Sequence, residues 1–141
     1  MGTVDIDDLP DGAVVILDSA PVIYYFEDHP TLAERFEPVF KAQVEGRLVC
    51  AIATTTVAEI LVLPLRAGNK RLEARYRSVI QSWQVIPIDL EIAERAARVR
   101  ASLGLRLVDA IQVASALAIN ADALITHDRD FSRVSALRVI T

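Results

Sequence analysis

The 141-residue chain holds one cysteine, Cys50, and two histidines, His29 and His127. A single thiol excludes a disulfide framework and any multi-cysteine zinc site, and two histidines leave little for a histidine-rich one. Positive charge is scarce as well. Lys and Arg number 15 against 19 Asp and Glu, a formal charge of −4, which argues against nucleic-acid binding through overall charge. No apolar run approaches the ~20 residues of a membrane span. Met1 to Gly12 is acidic and polar, unlike a secretion signal. No repeat, low-complexity stretch or linker divides the chain. These absences predict a cytoplasmic single domain with no membrane association. What is present agrees, since 52% apolar and 24% charged residues make the balance of a globular domain. A chain of this size buries roughly two-thirds of the surface its unfolded form exposes.

The charge is unevenly spread. Residues 1–65 carry 3 basic and 11 acidic side chains, residues 66–106 carry 9 and 4, and residues 107–141 carry 3 and 4. The middle third is therefore a basic block, with Arg66, Lys70, Arg71, Arg75 and Arg77 in one predicted helix pair. A solvated helical face accounts for such a run on charge alone. A phosphate-tracking surface gains weight only beside groups that act on phosphates.

Ala13 to Asp18 is a run of β-branched and apolar residues without alternation, the pattern of a strand buried on both faces of a parallel sheet. Arg47 to Ile52, Trp83 to Ile88, Ala123 to Thr126 and Leu137 to Ile140 read as further strands. Helical patterns cover Pro21 to Glu27, Thr31 to Glu45, Thr54 to Ala67, Asn69 to Ser82, Leu90 to Leu103 and Val108 to Ile119. Gly46 and Gly104 serve as stops, Asn69 and Asp89 as caps, and Pro64 should end or kink the third helix. Strands alternating with helices predict an α/β fold, a three-layer α/β/α sandwich on a central, mainly parallel sheet of about five strands. That domain spans 13–141, behind an acidic N-terminal extension, 1–12, for which disorder is the default. In such sheets ligands bind beyond the carboxyl ends of the strands.

Four carboxylates fall where that rule points. Asp18 follows the first strand and Asp128 follows the fourth, while Glu59 and Asp109 lie on apolar helices. Each has an ordinary explanation. Asp18 can N-cap the next helix. Glu59 can face water. Asp109 suits a helix dipole, and Asp128 with Asp130 suits a turn. Taken together they are harder to dismiss, because acids gathered in a partly apolar cleft repel, and some are protonated unless a cation compensates. All-oxygen ligation selects Mg²⁺ or Mn²⁺ over zinc. A metal-carboxylate cluster beside a basic block is suited to phosphodiester hydrolysis.

Four ordered segments carry a resemblance: Val-Ile-Leu-Asp18-Ser, Thr-Thr-Val-Ala-Glu59-Ile, Leu-Val-Asp109-Ala-Ile-Gln-Val-Ala, and Leu-Ile-Thr126-His-Asp128-Arg-Asp130-Phe. On these, over residues 13–141, the chain resembles the PIN-domain family, and within it the VapC-type toxins of toxin–antitoxin pairs. The resemblance implies a PIN-like fold and a Mg²⁺-dependent endoribonuclease acting on structured RNA such as tRNA, with Mn²⁺ as substitute. Its acidic quartet maps onto Asp18, Glu59, Asp109 and Asp128. By likeness, Asp18 and Asp109 bind metal directly, and Glu59 and Asp128 bind it through water or position the attacking water. Ser19 and Thr126 match hydroxyls that support the acids. Asp130 competes with Asp128 for the fourth place, and Asp128 is preferred as nearer the strand end. Arg106 is a candidate contact for substrate phosphate, although a solvent-facing arginine is its plainer reading.

The resemblance further implies a small antitoxin partner, a homodimer, and products with a 3′-hydroxyl and a 5′-phosphate. A housekeeping RNA-processing nuclease of the same fold is the nearest alternative. A catalytically silent PIN-like binding module is a second, but it is expected to lack one of the acids, and all four are here. Tyr24, Tyr25 and Phe26 follow Asp18 and suit base stacking, or core packing for at least two of them. Cys50 reads as a small buried hydrophobe. His127, next in chain to Asp128, is expected to point elsewhere, and Trp83 to anchor the third strand.

Overall fold

The computed structural model describes residues 2–141. Five strands and six helices follow one another as β1 (Ala13–Leu17), α1 (Ser19–Phe26), α2 (Leu32–Val44), β2 (Leu48–Ala53), α3 (Thr54–Ala67), α4 (Lys70–Gln81), β3 (Gln84–Ile86), α5 (Leu90–Leu103), α6 (Leu107–Ala118), β4 (Ala123–Ile125) and β5 (Val139–Ile140). A short 3₁₀ segment, Arg129–Arg133, lies between β4 and β5. The sheet order is β3-β2-β1-β4-β5 and every pairing is parallel.

The alternation of side chains across the sheet builds two cores. Val15 and Leu17 of β1 point to the layer holding Val22, Phe36, Phe40, Ile60 and Tyr76 of α1 to α4. Ile16 points to the other, with Ile92 and Ala96 of α5, Ala110 and Val113 of α6, and Phe131. Because both faces are covered, the central strands need apolar residues at every position, which is why β1 reads as an unbroken run. The edge strands β3 and β5 are shorter than the sequence pattern suggests.

Two local features differ from the sequence reading for physical reasons. Pro64 neither ends nor interrupts α3, which runs through it to Ala67. A proline forfeits its own N–H bond, but the turn beyond is closed by Gly68, whose φ of 65° is left-handed, and by the Asn69 N–H donating to Pro64 O at 2.8 Å. The described part of the N-terminal extension is packed rather than disordered: Val4 and Ile6 are buried in the first core. Val4 N–H donates to Arg35 O at 2.9 Å, and the Arg35 guanidinium donates to Gly2 O at 2.6 Å and to Thr141 O at 2.5 Å. One side chain on α2 thus clasps both ends of the chain.

The strand order reverses at β1, with β2 on one side and β4 on the other. The Asp18 N–H donates to Ile125 O at 2.9 Å, so the carboxyl ends of β1 and β4 lie side by side. This is the topological switch point where parallel sheets place ligands.

Candidate active site

Asp18 leaves β1 directly above the sheet edge and is 8% exposed. Its Oδ1 accepts the Ser19 N–H at 2.9 Å, capping α1, and Oδ2 accepts the Thr126 hydroxyl at 2.7 Å. One carboxylate therefore caps α1 and also binds the end of the neighbouring strand. Burial raises its proton affinity above the ordinary aspartate value, the Thr126 and Ser19 hydrogen bonds oppose that, and the nearby Asp109 charge adds to it. Thr126 Oγ1 also accepts the Asp128 N–H at 3.0 Å, so one hydroxyl joins the two strand-end acids.

Asp109 sits in the first turn of α6 and is 3% exposed. Arg106, the residue just before the helix, folds back onto it, with Nε 3.1 Å from Oδ2 and Nη2 3.4 Å from Oδ1. The same Nη2 is 3.4 Å from Asp128 Oδ2. The Asp109 carboxylate holds the guanidinium more firmly protonated than usual. Glu59 enters from α3. Burial, then the charges of Asp18 and Asp109, raise its proton affinity, with Arg106 opposing. Its Oε1 is buried without a hydrogen-bond partner.

These groups line one cleft of about 320 Å³, together with Ser19, Tyr24, His127 and Arg129. Asp130 lies at its rim. It is exposed, and one carboxylate oxygen each of Asp109, Asp128 and Asp130 falls within 4.8 Å of the others. A larger hollow of about 470 Å³ lies between the N-terminal segment and α2, but all its charged groups are exposed and none converges on a buried acid.

The chemistry of the donors fits a hard divalent cation. The anionic groups converging here offer only carboxylate oxygens, no cysteine is near, and the His127 ring packs in T-shaped contact with Tyr24 and Phe36 at 5.8 Å from each. The orphaned Glu59 oxygen and the crowding of Asp18, Asp109 and Glu59 are relieved by a bound proton or by a cation beyond Arg106.

The family model of the PIN domain matches residues 15–137. The chain belongs to the PIN-domain family. No curated protein sequence matches it. Among solved structures it is similar to a toxin–antitoxin complex from Klebsiella pneumoniae, at 26% identity and TM-score 0.72, covering 90% of this chain and 96% of that one. It is also similar to VapBC2 from Rickettsia felis bound to a promoter DNA fragment, at 16% identity and TM-score 0.71, covering 89% and 96%. A third likeness is to VapC20 from Mycobacterium tuberculosis, a sarcin–ricin-loop-cleaving toxin, at 14% identity and TM-score 0.67, covering 84% and 92%. The last two speak to the fold alone.

In this PIN domain the structure gathers all four candidate acids, with Thr126 bonded to Asp18 and Arg106 bonded to Asp109 and Asp128. Ser19 contributes its backbone N–H. Of the three clustered aromatics, Tyr24 lines the cleft, while Tyr25 stacks on Phe40 at 4.5 Å and Phe26 packs at 5.3 Å from it. His127 lines the cleft too, contrary to its expected direction. Cys50 is buried, which pushes its thiol up to about 12, so no thiolate nucleophile is available. Two polar residues escaped the sequence reading: Thr56 and Gln112, both wholly buried. The available signal was spacing. Thr56 precedes Glu59 by three residues and Gln112 follows Asp109 by three, so each shares a helix face with an acid.

Proposed function

We propose that this PIN domain is a metal-dependent endoribonuclease, the toxin of a toxin–antitoxin pair, cutting structured RNA, with tRNA the first substrate class to test. The observation that carries this reading is the convergence of Asp18, Glu59, Asp109 and Asp128 at the sheet switch point, with a Glu59 oxygen left without a partner. Asp18 and Asp109, the most buried, are the direct ligands, and Glu59 and Asp128 act through water. Asp130 is the alternative to Asp128. Mg²⁺, or Mn²⁺ in its place, supplies when bound a Lewis acid and a more acidic water.

The chain's own groups do the rest. The Thr126 hydroxyl and the Ser19 N–H each hold one oxygen of the Asp18 carboxylate. Glu59, with its raised proton affinity, is suited to take a proton from the attacking water. Arg106 and Arg129, at the mouth of the cleft, bind the phosphate flanking the scissile bond, and Tyr24 offers a ring to an unstacked base. Water adds to phosphorus, the P–O3′ bond breaks, and the products carry a 5′-phosphate and a 3′-hydroxyl.

The Klebsiella likeness supports a small antitoxin as partner. Homodimerisation and a cytoplasmic site of action belong to the same reading. Retention of all four acids in one cleft disfavours a silent binding module.

The test is cleavage of total RNA by the purified chain with Mg²⁺, with EDTA, and as Asp18→Asn. Discrete cuts are expected with Mg²⁺ alone. Cuts that survive both chelator and substitution would sink the metal-nuclease reading. An identical cutting pattern on every RNA offered would sink the specific-substrate part.

A further inference from the structure

Gln112 is out of place as a packing residue. It is wholly buried on α6 among Ala110, Val113 and Ala114, where an apolar side chain fits without polar atoms to satisfy. Its Oε1 has no hydrogen-bond partner, which costs stability that a methionine of similar shape would not. Both hydrogens of its Nε2, by contrast, have acceptors. One is Thr56 Oγ1 at 2.7 Å, the other Asp18 Oδ1 at 3.3 Å. Turning the amide over would set its oxygen against a carboxylate oxygen, so the site selects the donor orientation.

The connection this amide makes is specific. Asp18 follows β1, Thr56 stands in the first turn of α3, and Gln112 stands on α6. Each of those elements also delivers an acid: Asp18 itself, Glu59 one turn after Thr56, and Asp109 one turn before Gln112. A single buried chain, Thr56–Gln112–Asp18, thus joins the three elements that carry three of the four acids. Removing an outer group that holds a metal ligand in orientation commonly costs roughly 10–100-fold in metal affinity or activity.

We infer that Gln112 is a positioning residue, whose amide fixes the Asp18 carboxylate and ties α6 to α3 so that Asp18, Asp109 and Glu59 face a divalent cation together. This rests on the metal reading proposed above, and the experiment separates the two. Mn²⁺ is titrated calorimetrically into the full chain as wild type, Gln112→Met and Thr56→Val, with thermal midpoints measured in parallel. RNA cleavage is followed over a range of Mn²⁺ concentrations.

Gln112→Met should keep its thermal midpoint, because it removes one orphaned polar atom while leaving Thr56 Oγ1 without its donor. Its Mn²⁺ affinity should fall roughly tenfold. Its kcat should fall at low Mn²⁺ and recover with excess, with KM for RNA unchanged, since Gln112 touches no substrate. Thr56→Val, which leaves the Asp18 bond but removes the tether, should show a smaller loss in the same direction. A filler role predicts wild-type Mn²⁺ affinity in Gln112→Met, and that result overturns the inference. If that variant does not fold, wild-type affinity in Thr56→Val overturns it instead. A wild-type chain that binds no divalent cation overturns the metal reading and this inference with it. Binding by wild type with no loss in the variants overturns the inference alone.

Discussion

Arg106 stands between acids that would otherwise face one another, and its contacts set up a competition. Its guanidinium reaches Asp109 at 3.1 Å and Asp128 at 3.4 Å, yet its side chain is 72% exposed. An ion pair so open to water adds little to stability. A divalent cation bound to Asp109 contends with that positive charge, so Arg106→Gln should bind Mn²⁺ more tightly while its KM for RNA rises. Calorimetry and steady-state kinetics read the two effects separately, and a weaker Mn²⁺ affinity would refute the competition. A second consequence at this scale concerns pH. Asp18 and Glu59 both have proton affinities raised by burial, above ordinary values of 3.8 and 4.5. The folded chain therefore binds more protons than the unfolded one between those ordinary values and the raised ones. Stability contributed by these groups falls as pH rises through that window. The metal-free protein should accordingly lose thermal midpoint as pH rises above the ordinary carboxylate range, less so as Asp18→Asn, and regain it on addition of Mg²⁺. A midpoint unaffected by Mg²⁺ at neutral pH would contradict this.

Elements differ in how openly their sequences declare them. The caps were legible because their chemistry is local: Asn69 Oδ1 accepts the Leu72 N–H at 3.1 Å, and Asp89 Oδ1 accepts the Ile92 N–H at 2.9 Å. Asp89→Ala should lower stability by about 1 kcal/mol, read as a shift in denaturant midpoint. Mn²⁺ affinity should not change, because α5 supplies no group to the cleft. A change in affinity would mean that α5 carries strain into the site. Pro64 does not end α3, because its effect depends on what closes the turn after it, here Gly68 and Asn69. The N-terminal segment was misjudged because two buried side chains, Val4 and Ile6, hold a stretch that composition alone marks as polar. The site followed the same division. Asp18 and Asp128 could be placed from strand ends. The Thr56–Gln112 link needed the third dimension, since 56 residues separate its partners.

At the scale of the molecule, an acidic cleft and a basic block meet along α3. Glu59 and Arg66 are seven residues apart on that helix, so they lie on one stripe, about 10 Å apart along the axis. Lys70 and Arg71 continue from there onto α4. The two remaining cations of that helix pair have local duties: Arg75 donates to Phe26 O at 2.9 Å and lies over the Phe26 ring, and Arg77 pairs with Glu73 at 3.0 Å. Among the described residues, Arg66, Lys70 and Arg71 form no ion pair and are exposed, which leaves them free for phosphates. A chain with net charge −4 must concentrate its attraction for RNA in such a patch. Each phosphate contact to a single strand adds about 0.7 to the salt slope of binding, so three contacts contribute about 2. Replacing Arg66, Lys70 and Arg71 together by Gln should therefore weaken RNA binding alike for all sequences and flatten the slope by up to that amount. Mn²⁺ affinity and kcat at saturating RNA should stay as in wild type, because none of the three lines the cleft. Binding measured from low to physiological salt decides the matter: an unchanged slope would return the basic block to the status of a solvated helical face, and the backbone would have to be gripped by Arg106 and Arg129 alone.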